Sequence, residues 1–353
     1  MTPRRALLGA AAALLAAVPF LPARIPGVFP APLNAPGTLQ LLALCLVFGG
    51  VALSYDLLFG YTGLLSFGHA LFFAAGAYGV AIALSRWHWA LLPALAFAAA
   101  AGLALPAALG AVALRVRGIA FAMVTLAFAQ AGSILAYSNP GGFTGGEEGL
   151  GLVVDRLPAQ LIGVANTRYL YWLALAYLVV ASAAAWAAVA SRPGRIWPAI
   201  RENEGRVEVL GVSTYPFKLL SFITGCGLAA LGGMVYVFVL GGASPTITTA
   251  GLSLALLIMV VLGGAGSLWG AVAGGALYEY LDFRLVALAG SSGVHALPPW
   301  LGAPLGQPLF ILGVCFIALV VFFPGGIAAI PGRYRLARAA ASQRAHLDAQ
   351  EVD

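Results

Sequence analysis

Runs of about twenty apolar residues, nearly free of charge, recur along this chain, and that length spans the hydrocarbon core of a bilayer. Of 353 residues, 61% are hydrophobic and 8% are charged, against about 25% charged in a typical globular domain. Such a chain cannot cover a water-facing surface with polar groups, which excludes a soluble fold. The runs are continuous rather than alternating, so they predict helices and not the strands of a membrane barrel. The 45 glycines and 21 prolines suit helices that pack closely or break inside a membrane. The expected fold class is an all-α polytopic membrane protein.

Hydropathy places ten spans at residues 6–22, 39–58, 64–85, 89–113, 118–137, 169–190, 217–240, 252–263, 267–282 and 308–323. The first follows Arg4 and Arg5 and is short and alanine-rich, so a cleaved signal peptide is an alternative. The eighth and ninth are short and glycine-interrupted, which leaves a re-entrant hairpin open. With the N-terminus inside, thirteen of the 18 basic residues fall on the inner side: Arg4, Arg5, Arg115, Arg117, five within 191–218, and Arg333, Arg335, Arg338 and Arg344. Arg24, Arg86, Arg156, Arg168 and Arg284 fall outside. This bias sets the orientation and explains the net charge of +6 without nucleic acid. Residues 1–330 then form one transmembrane domain, with an inner loop at about 191–218 and outer loops at about 138–168 and 283–307. Residues 331–353 form a basic cytoplasmic tail, and both termini are cytoplasmic.

The inner loop carries Arg192, Arg195, Arg201, Arg206, Lys218, Glu202, Glu204 and Glu208, eight of the chain's 30 charges. Pro198 suits the first turn of a helix and Gly211 its end. Ile200, Val207 and Leu210 then share one face, and Glu202 and Arg206 make an i,i+4 pair. A short helix with an apolar stripe and charged flanks fits a groove on a soluble partner. A helix lying on lipid is the alternative, opposed by three acidic residues facing anionic headgroups. The expected docking residues are Arg201, Glu202, Asn203, Glu204, Arg206, Leu210 and Gly211.

No GxxxxGK[ST] loop occurs, and Lys218 is the only lysine. If ATP drives this protein, another subunit binds it. Four scattered histidines show no metal-ligand spacing, and Cys45, Cys226 and Cys315 lie in apolar runs as core residues. No metal or cofactor is expected in the chain itself.

Polar groups at membrane depth are candidates for a transport pathway. Gly63, Ser66, Phe67, Gly68 and His69 are placed at the cytoplasmic end of a span, offering a hydroxyl, an imidazole and flexible backbone. Thr125 and Gln130 lie within the fifth span. For each, helix packing with an internal hydrogen bond is the alternative. Thr144, Gly145, Gly146 and Glu147 (with Glu148) form a turn in the outer loop that either meets an external partner or is simply solvated. Arg115 and Arg117 are expected as inner-face anchors. The Gly266–Gly270–Gly274 spacing predicts close helix packing, within the chain or, as an alternative, against a second subunit. Asp56 and Glu279 are taken as boundary residues. The spans then lack a mid-membrane acid, which speaks against a secondary transporter coupled to ions. No cluster of His, Asp or Ser suggests a membrane enzyme.

Five segments occur in order: YTGLLSFGHALFFAAGA (61–77), LRVRGIAFAMVTLAFAQ (114–130), TGGEEGL (144–150), IRENEGRVEVLG (200–211) followed by KLLSF (218–222), and VLGGAGSLWGAVAGG (261–275). Together the chain resembles the LivM-type permease subunit of ABC importers for branched-chain amino acids, from about residue 40 to 325. Glu147-Glu148 and the proline at 198 depart from the family's usual pattern. The resemblance implies a second, LivH-type permease, two cytoplasmic subunits that bind ATP and Mg, and a periplasmic substrate-binding protein. It also implies a bacterial inner-membrane location and a role for the inner loop in contacting an ATPase. The substrate it implies is a branched-chain or other amino acid, with urea or a short amide as the alternative.

Overall fold

The computed structural model describes residues 14–26, 29, 31–153, 157–162, 166–290, 304, 306–322 and 325–329. Arg4, Arg5, Arg156, the basic tail with Arg333, Arg335, Arg338 and Arg344, and most of the expected loop beyond residue 290 lie outside them. The described residues form helices α1 (Pro36–Asp56), α2 (His69–Ser85), α3 (Leu91–Ala113), α4 (Ile119–Ser138), α5 (Thr167–Ala190), α6 (Arg192–Val209), α7 (Tyr215–Leu240), α8 (Ala250–Gly263), α9 (Leu268–Ala289) and α10 (Pro308–Phe322). Two short strands, β1 (Leu150–Gly151) and β2 (Gly242–Ala243), pair antiparallel.

Five described helices are long and apolar enough to cross a membrane: α1 with its π-helical extension to Thr62, α3, α4, α5 and α7. The chain is thus an all-α, multi-pass membrane protein. Helices α2 and α8 are apolar but shorter, and α9 carries Glu279, Asp282 and Arg284. Nine of the ten expected spans coincide with helices. Of the first, residues 14–17 are helical and end in a 3-10 turn, Val18–Phe20, and the rest lies outside the described residues.

The helices alternate direction, so the loops gather at two ends. At one end lie the 57–69 segment, residues 114–118, helix α6 and the α8–α9 turn. Their shared position is fixed by bonds from Arg117 to Glu208, from the Tyr215 hydroxyl to the Ala111 carbonyl (3.0 Å), and from the Gly266 amide to Asp56. The opposite end holds β1 and β2, the Ser85–Gly151 bond and the 241–249 turn. Arg115, Arg117, Arg192, Arg195, Arg201, Arg206 and Lys218 sit at the first end, and Arg24, Arg86, Arg168 and Arg284 at the second. The predicted charge asymmetry persists among the described residues.

Helices α1 and α7 form the centre, with α2, α5 and α9 packed around them. Close approach depends on glycine. A Cβ on Gly76 would strike the Ala230 carbonyl, and one on Gly233 would strike the Phe73 carbonyl, so α2 and α7 touch backbone to backbone in both directions. The glycines of the α8–α9 region do the same within the chain. Gly270 lies against Gly263, Gly274 against the Met259 carbonyl, and Gly275 against the Phe48 carbonyl. Here the small-residue spacing serves internal packing.

Two corrections concern charge at depth. The span expected to end at 58 continues as a π-helix, Leu57–Thr62, which places Asp56 inside the membrane segment and fully buried. Helix α9 runs to Ala289 rather than 282, so Glu279 is mid-helix. Neither is a boundary residue. Length and hydropathy located the spans, but the π-turn leaves no mark on either, and the charges of Asp282 and Arg284 interrupt the apolar run of α9 where the helix itself continues.

Candidate functional site

Helix α6 lies beneath the spans and is held by its own charged residues. Ser191 caps its start, with Oγ accepting from the Gly194 amide at 3.2 Å. It therefore begins at Arg192, six residues before the expected start, and Pro198 is internal. The helix breaks at Asn203 (φ −161°, ψ 97°). Asn203 Oδ1 accepts from the Arg206 amide at 2.9 Å and so caps a second short segment. That break removes the expected Glu202–Arg206 pair, which is absent from the ion pairs of the described residues.

The inward contacts are specific. Trp197 is 1% exposed and donates its indole N–H to the Phe217 carbonyl at 2.9 Å. Lys218, itself buried, reaches Glu204 at 2.5 Å. Thr214 donates to Glu204 at 2.8 Å. Arg117 binds Glu208 through two nitrogens, at 2.7 and 3.3 Å, and approaches Glu204 at 3.6 Å. Burial pushes the Glu204 carboxyl up, but hydrogen bonds from Lys218 and Thr214, with the charges of Lys218 and Arg117, hold it below the usual glutamate value. The pairing with Glu208 and the charges of Glu204 and Glu208 push Arg117 up. Arg201 donates to the Gly60 carbonyl.

The predicted docking set therefore divides. Arg201 and Glu204 hold α6 to the membrane domain. Glu202, Asn203, Arg206, Leu210 and Gly211 are exposed. The apolar stripe divides too, since Ile200 and Val207 are buried and Leu210 is 77% exposed beside Val209 at 88%. Val209 and Leu210 thus project as an apolar pair from a charged, firmly seated helix.

The second group begins where α1 ends. Gly63 takes a left-handed conformation (φ 76°) against the Arg201 side chain, and residues 64–68 return into the bundle before α2 starts. His69 is not at the membrane edge. Its Nε2 lies 2.9 Å from Ser54 Oγ, about 12 Å in from Thr62 at 1.5 Å per helical residue. The Ser54 hydroxyl donates to the Val51 carbonyl at 2.6 Å, so His69 Nε2–H must be the donor to Ser54. That leaves Nδ1 to accept from the Cys226 thiol at 3.8 Å. His69 is fully buried, with Tyr55 edge-on at 5.1 Å. Its contacts in this conformation are packing contacts.

Ser66, Phe67 and Gly68 meet Thr125 across 58 residues of sequence. The Phe67 amide donates to Thr125 Oγ1 at 3.1 Å, and Gly68 lies on the Thr125 carbonyl. Gln130, on the same helix, points away. It is exposed on a stripe with Met123, Ala127 and Ile134, near the middle of α4. Two clefts, one apolar between α3 and α7 around Leu103 and Leu231, one at the opposite end around Glu148 and Gly242, are lined by none of the predicted pathway residues.

In the outer loop, Asn139 is the organiser. It adopts φ 49°, and its Oδ1 accepts from the Thr144 amide (2.9 Å), the Thr144 hydroxyl (3.0 Å) and the Gly145 amide (3.1 Å). Gly145 and Gly146 are left-handed, and Glu147 and Glu148 are exposed. Sequence reasoning passed over Asn139, although Asn-Pro-Gly-Gly is a turn signal. It also gave no role to Ser54 or Trp197 and set Asp56 at a span boundary. An acid inside an apolar run was the available signal for the last.

The model of the family described as branched-chain amino acid transport system, permease component, matches residues 37–323. The high-affinity branched-chain amino acid transport system permease protein LivM of Escherichia coli K12 is 30% identical over 262 residues, covering 65% of this chain and 59% of that protein. The LivM protein of Salmonella typhimurium is 29% identical over 257 residues, with the same coverage. The Autoinducer 2 import system permease protein LsrC of Escherichia coli O9:H4 is 30% identical over 190 residues, 51% of this chain and 49% of that protein. The chain thus spans about three-fifths of the length of the LivM proteins it matches. No solved structure matches it. With a family model covering residues 37–323, most of the chain, the protein belongs to the branched-chain amino acid transport permease family.

Proposed function

We propose that this chain is the permease subunit of an ATP-driven importer that moves branched-chain amino acids into the cytoplasm. It works beside a second, LivH-type permease, two cytoplasmic ATPase subunits that bind ATP and Mg, and a periplasmic binding protein. Ten crossings in the bacterial inner membrane, with both termini cytoplasmic, put α6 on the ATPase side and the Asn139 loop on the binding-protein side. ATP hydrolysis belongs to the ATPases, and this chain makes and breaks no bond. Access switches because the two ligands, nucleotide and loaded binding protein, favour different conformations.

The observation that carries this is α6: anchored inward by Trp197, Glu204 and Lys218, and presenting Val209, Leu210 and Arg206 outward. A surface so rigidly supported and so exposed suits a partner that pushes on it. Gln130 supports a pathway at the boundary with the second permease, because an exposed mid-span amide is costly against lipid tails. The likeness to LsrC as well as LivM makes the substrate a matter for direct measurement.

The test is co-purification of the tagged chain with its co-expressed neighbours, comparing wild type with Leu210→Asp. Retention of the ATPases by wild type and their loss from the variant is the expected result. A wild-type chain that purifies alone and moves solute in proteoliposomes without ATP overturns the importer assignment. Uptake of leucine, isoleucine and valine against urea in the reconstituted complex then fixes the substrate class.

A further inference from the structure

Among the described residues two charged side chains are fully buried, Lys218 and Asp56. Lys218 is accounted for by Glu204. Asp56 is not accounted for by packing, because a carboxylate inside an apolar bundle costs heavily unless it is used.

Its surroundings join three separate segments. Asp56 Oδ1 accepts from the amide of Gly266, in the α8–α9 turn, at 2.7 Å. Among the described residues Oδ2 has no hydrogen-bond partner. From the next residue the backbone widens into the π-helix Leu57–Thr62, a form that recurs at functional sites. There the Gly60 carbonyl accepts from Arg201 of α6. The stem of Arg201 packs on Gly63, where an added Cβ would meet its Cγ at 3.0 Å. Its guanidinium lies 3.1 Å from the place a Cβ on Gly266 would occupy. A Cβ on Gly60 would collide with the Asp56 carboxylate and the Gly266 amide. Glycine at 60, 63 and 266 therefore lets one arginine and one aspartate bring α6, the end of α1 and the α8–α9 turn into direct contact.

We propose that Asp56 and Arg201 are the positioning pair that transmits displacement of α6 to the α8–α9 turn and to the 63–68 segment, and so couples ATP use to opening of the pathway. The inference rests on the importer reading above. Lys218 and Glu204 seat α6 on α7, and Trp197 ties it to the start of the same helix. Among the hydrogen bonds and ion pairs of the described residues, the one from Arg201 to Gly60 links α6 to the α1 end, and the same guanidinium lies beside Gly266. If α6 shifts, the Arg201 head must drag the Gly60 carbonyl or release it, and the Asp56–Gly266 bond lies in the same path. The unpartnered Oδ2 gives Arg201 a second acceptor to move to, which is the property expected of a joint with two arrangements rather than of a fixed bolt.

The experiment uses the whole complex in proteoliposomes and reads solute moved per ATP hydrolysed. Arg201→Leu cuts the link at the α6 side, where the residue is exposed. Asp56→Asn keeps an acceptor for Gly266 but removes the charge. Asp56→Ala removes both. The expected result is at least a tenfold fall in solute moved per ATP for Asp56→Ala and Arg201→Leu, with the ATPases still bound, and a smaller fall for Asp56→Asn. A residue that only supports folding would lower the yield of complex and leave that ratio unchanged in what assembles. An unchanged ratio in Arg201→Leu overturns the inference, whether or not Asp56→Ala assembles. Wild type without any bound ATPase overturns the importer reading and this inference with it, whereas coupled wild type with a normal ratio in the variants overturns this inference alone.

Discussion

Helices α1 and α3 are built from equally apolar sequence, yet 89% of the most apolar stretch of α1 is buried within the chain and only 22% of that of α3. α7 resembles α1 in this, and α4 and α5 resemble α3. In a membrane, apolarity decides only that a helix is inserted, since lipid tails are as apolar as leucine. Which helix sits at the centre depends on shape. Gly49, Gly50 and Gly275 let α1 meet its neighbours, and Gly76, Gly225 and Gly233 do so around α7. On the flank, Leu92 of α3, and Ile119, Ile134 and Leu135 of α4, project outward with no partner of that kind.

The sharpest way to break this comparison is to place the same bulk in each region. Gly76→Leu forces a side chain into the Ala230 carbonyl and is expected to yield no folded chain. Ala104→Leu, on the exposed face of α3, is expected to leave the detergent-solubilised protein within about 0.5 kcal/mol of wild type. Monodispersity and thermal unfolding distinguish them, and equal behaviour would remove the distinction between centre and flank.

Next in size is the polar edge of the centre. Glu204→Leu strands the Lys218 ammonium, whose side chain is 4% exposed, and is expected to destabilise the α6 attachment by about 3 kcal/mol. Increased proteolysis within α6 is the readout. The pH dependence has a definite sign. Glu204 titrates below its ordinary value of 4.5 when folded, so its contribution is complete above that value and lost as the pH falls through the depressed one. Attachment of α6 should be independent of pH near neutrality and weaken only in acid below about pH 4.5.

The extent to which this was legible divides along the same line. The places of the helices and of the charged segment that forms α6 follow from hydropathy and charge placement, because those signals are local and additive. The family segments around Ser66–His69 and Thr125 marked residues that the fold does bring together. What sequence could not show was direction. Glu204 and Leu210 sit six residues apart in one charged loop, and nothing local says that the first faces in and the second out. Burial of Lys218 decides it, and that depends on α7. The helix start at Arg192 was missed because Pro198 outweighed Ser191 as a start signal, although a first-turn proline, Pro193, stands two residues after the serine. The π-turn after Asp56 has no residue signature.

A smaller effect tests the polar knot at the centre. Ser54→Ala removes the acceptor for His69 Nε2 and leaves a buried imidazole N–H unpaired. The expected cost is about 2 kcal/mol, seen as a lower unfolding temperature, with Ser54→Thr losing less. A null effect would mean that His69 turns toward Cys226 without penalty.

The smallest expected change in stability is the one that says most about the flank. Gln130 is exposed near the centre of α4, on a face otherwise formed by Met123, Ala127 and Ile134. If that face met lipid alone, Gln130→Leu would stabilise the chain, because it replaces an amide by a side chain that hydrocarbon solvates well. If the face meets a second permease or a wet pathway, the amide has partners in the complex that the isolated chain lacks. Gln130→Leu should then change the unfolding of the isolated chain by less than about 0.5 kcal/mol while lowering uptake by the assembled complex several-fold, and Gln130→Asn should recover part of the loss. A variant that gains stability and transports normally would place α4 against lipid, and the exposed flank would be the periphery of the complex rather than its inner seam.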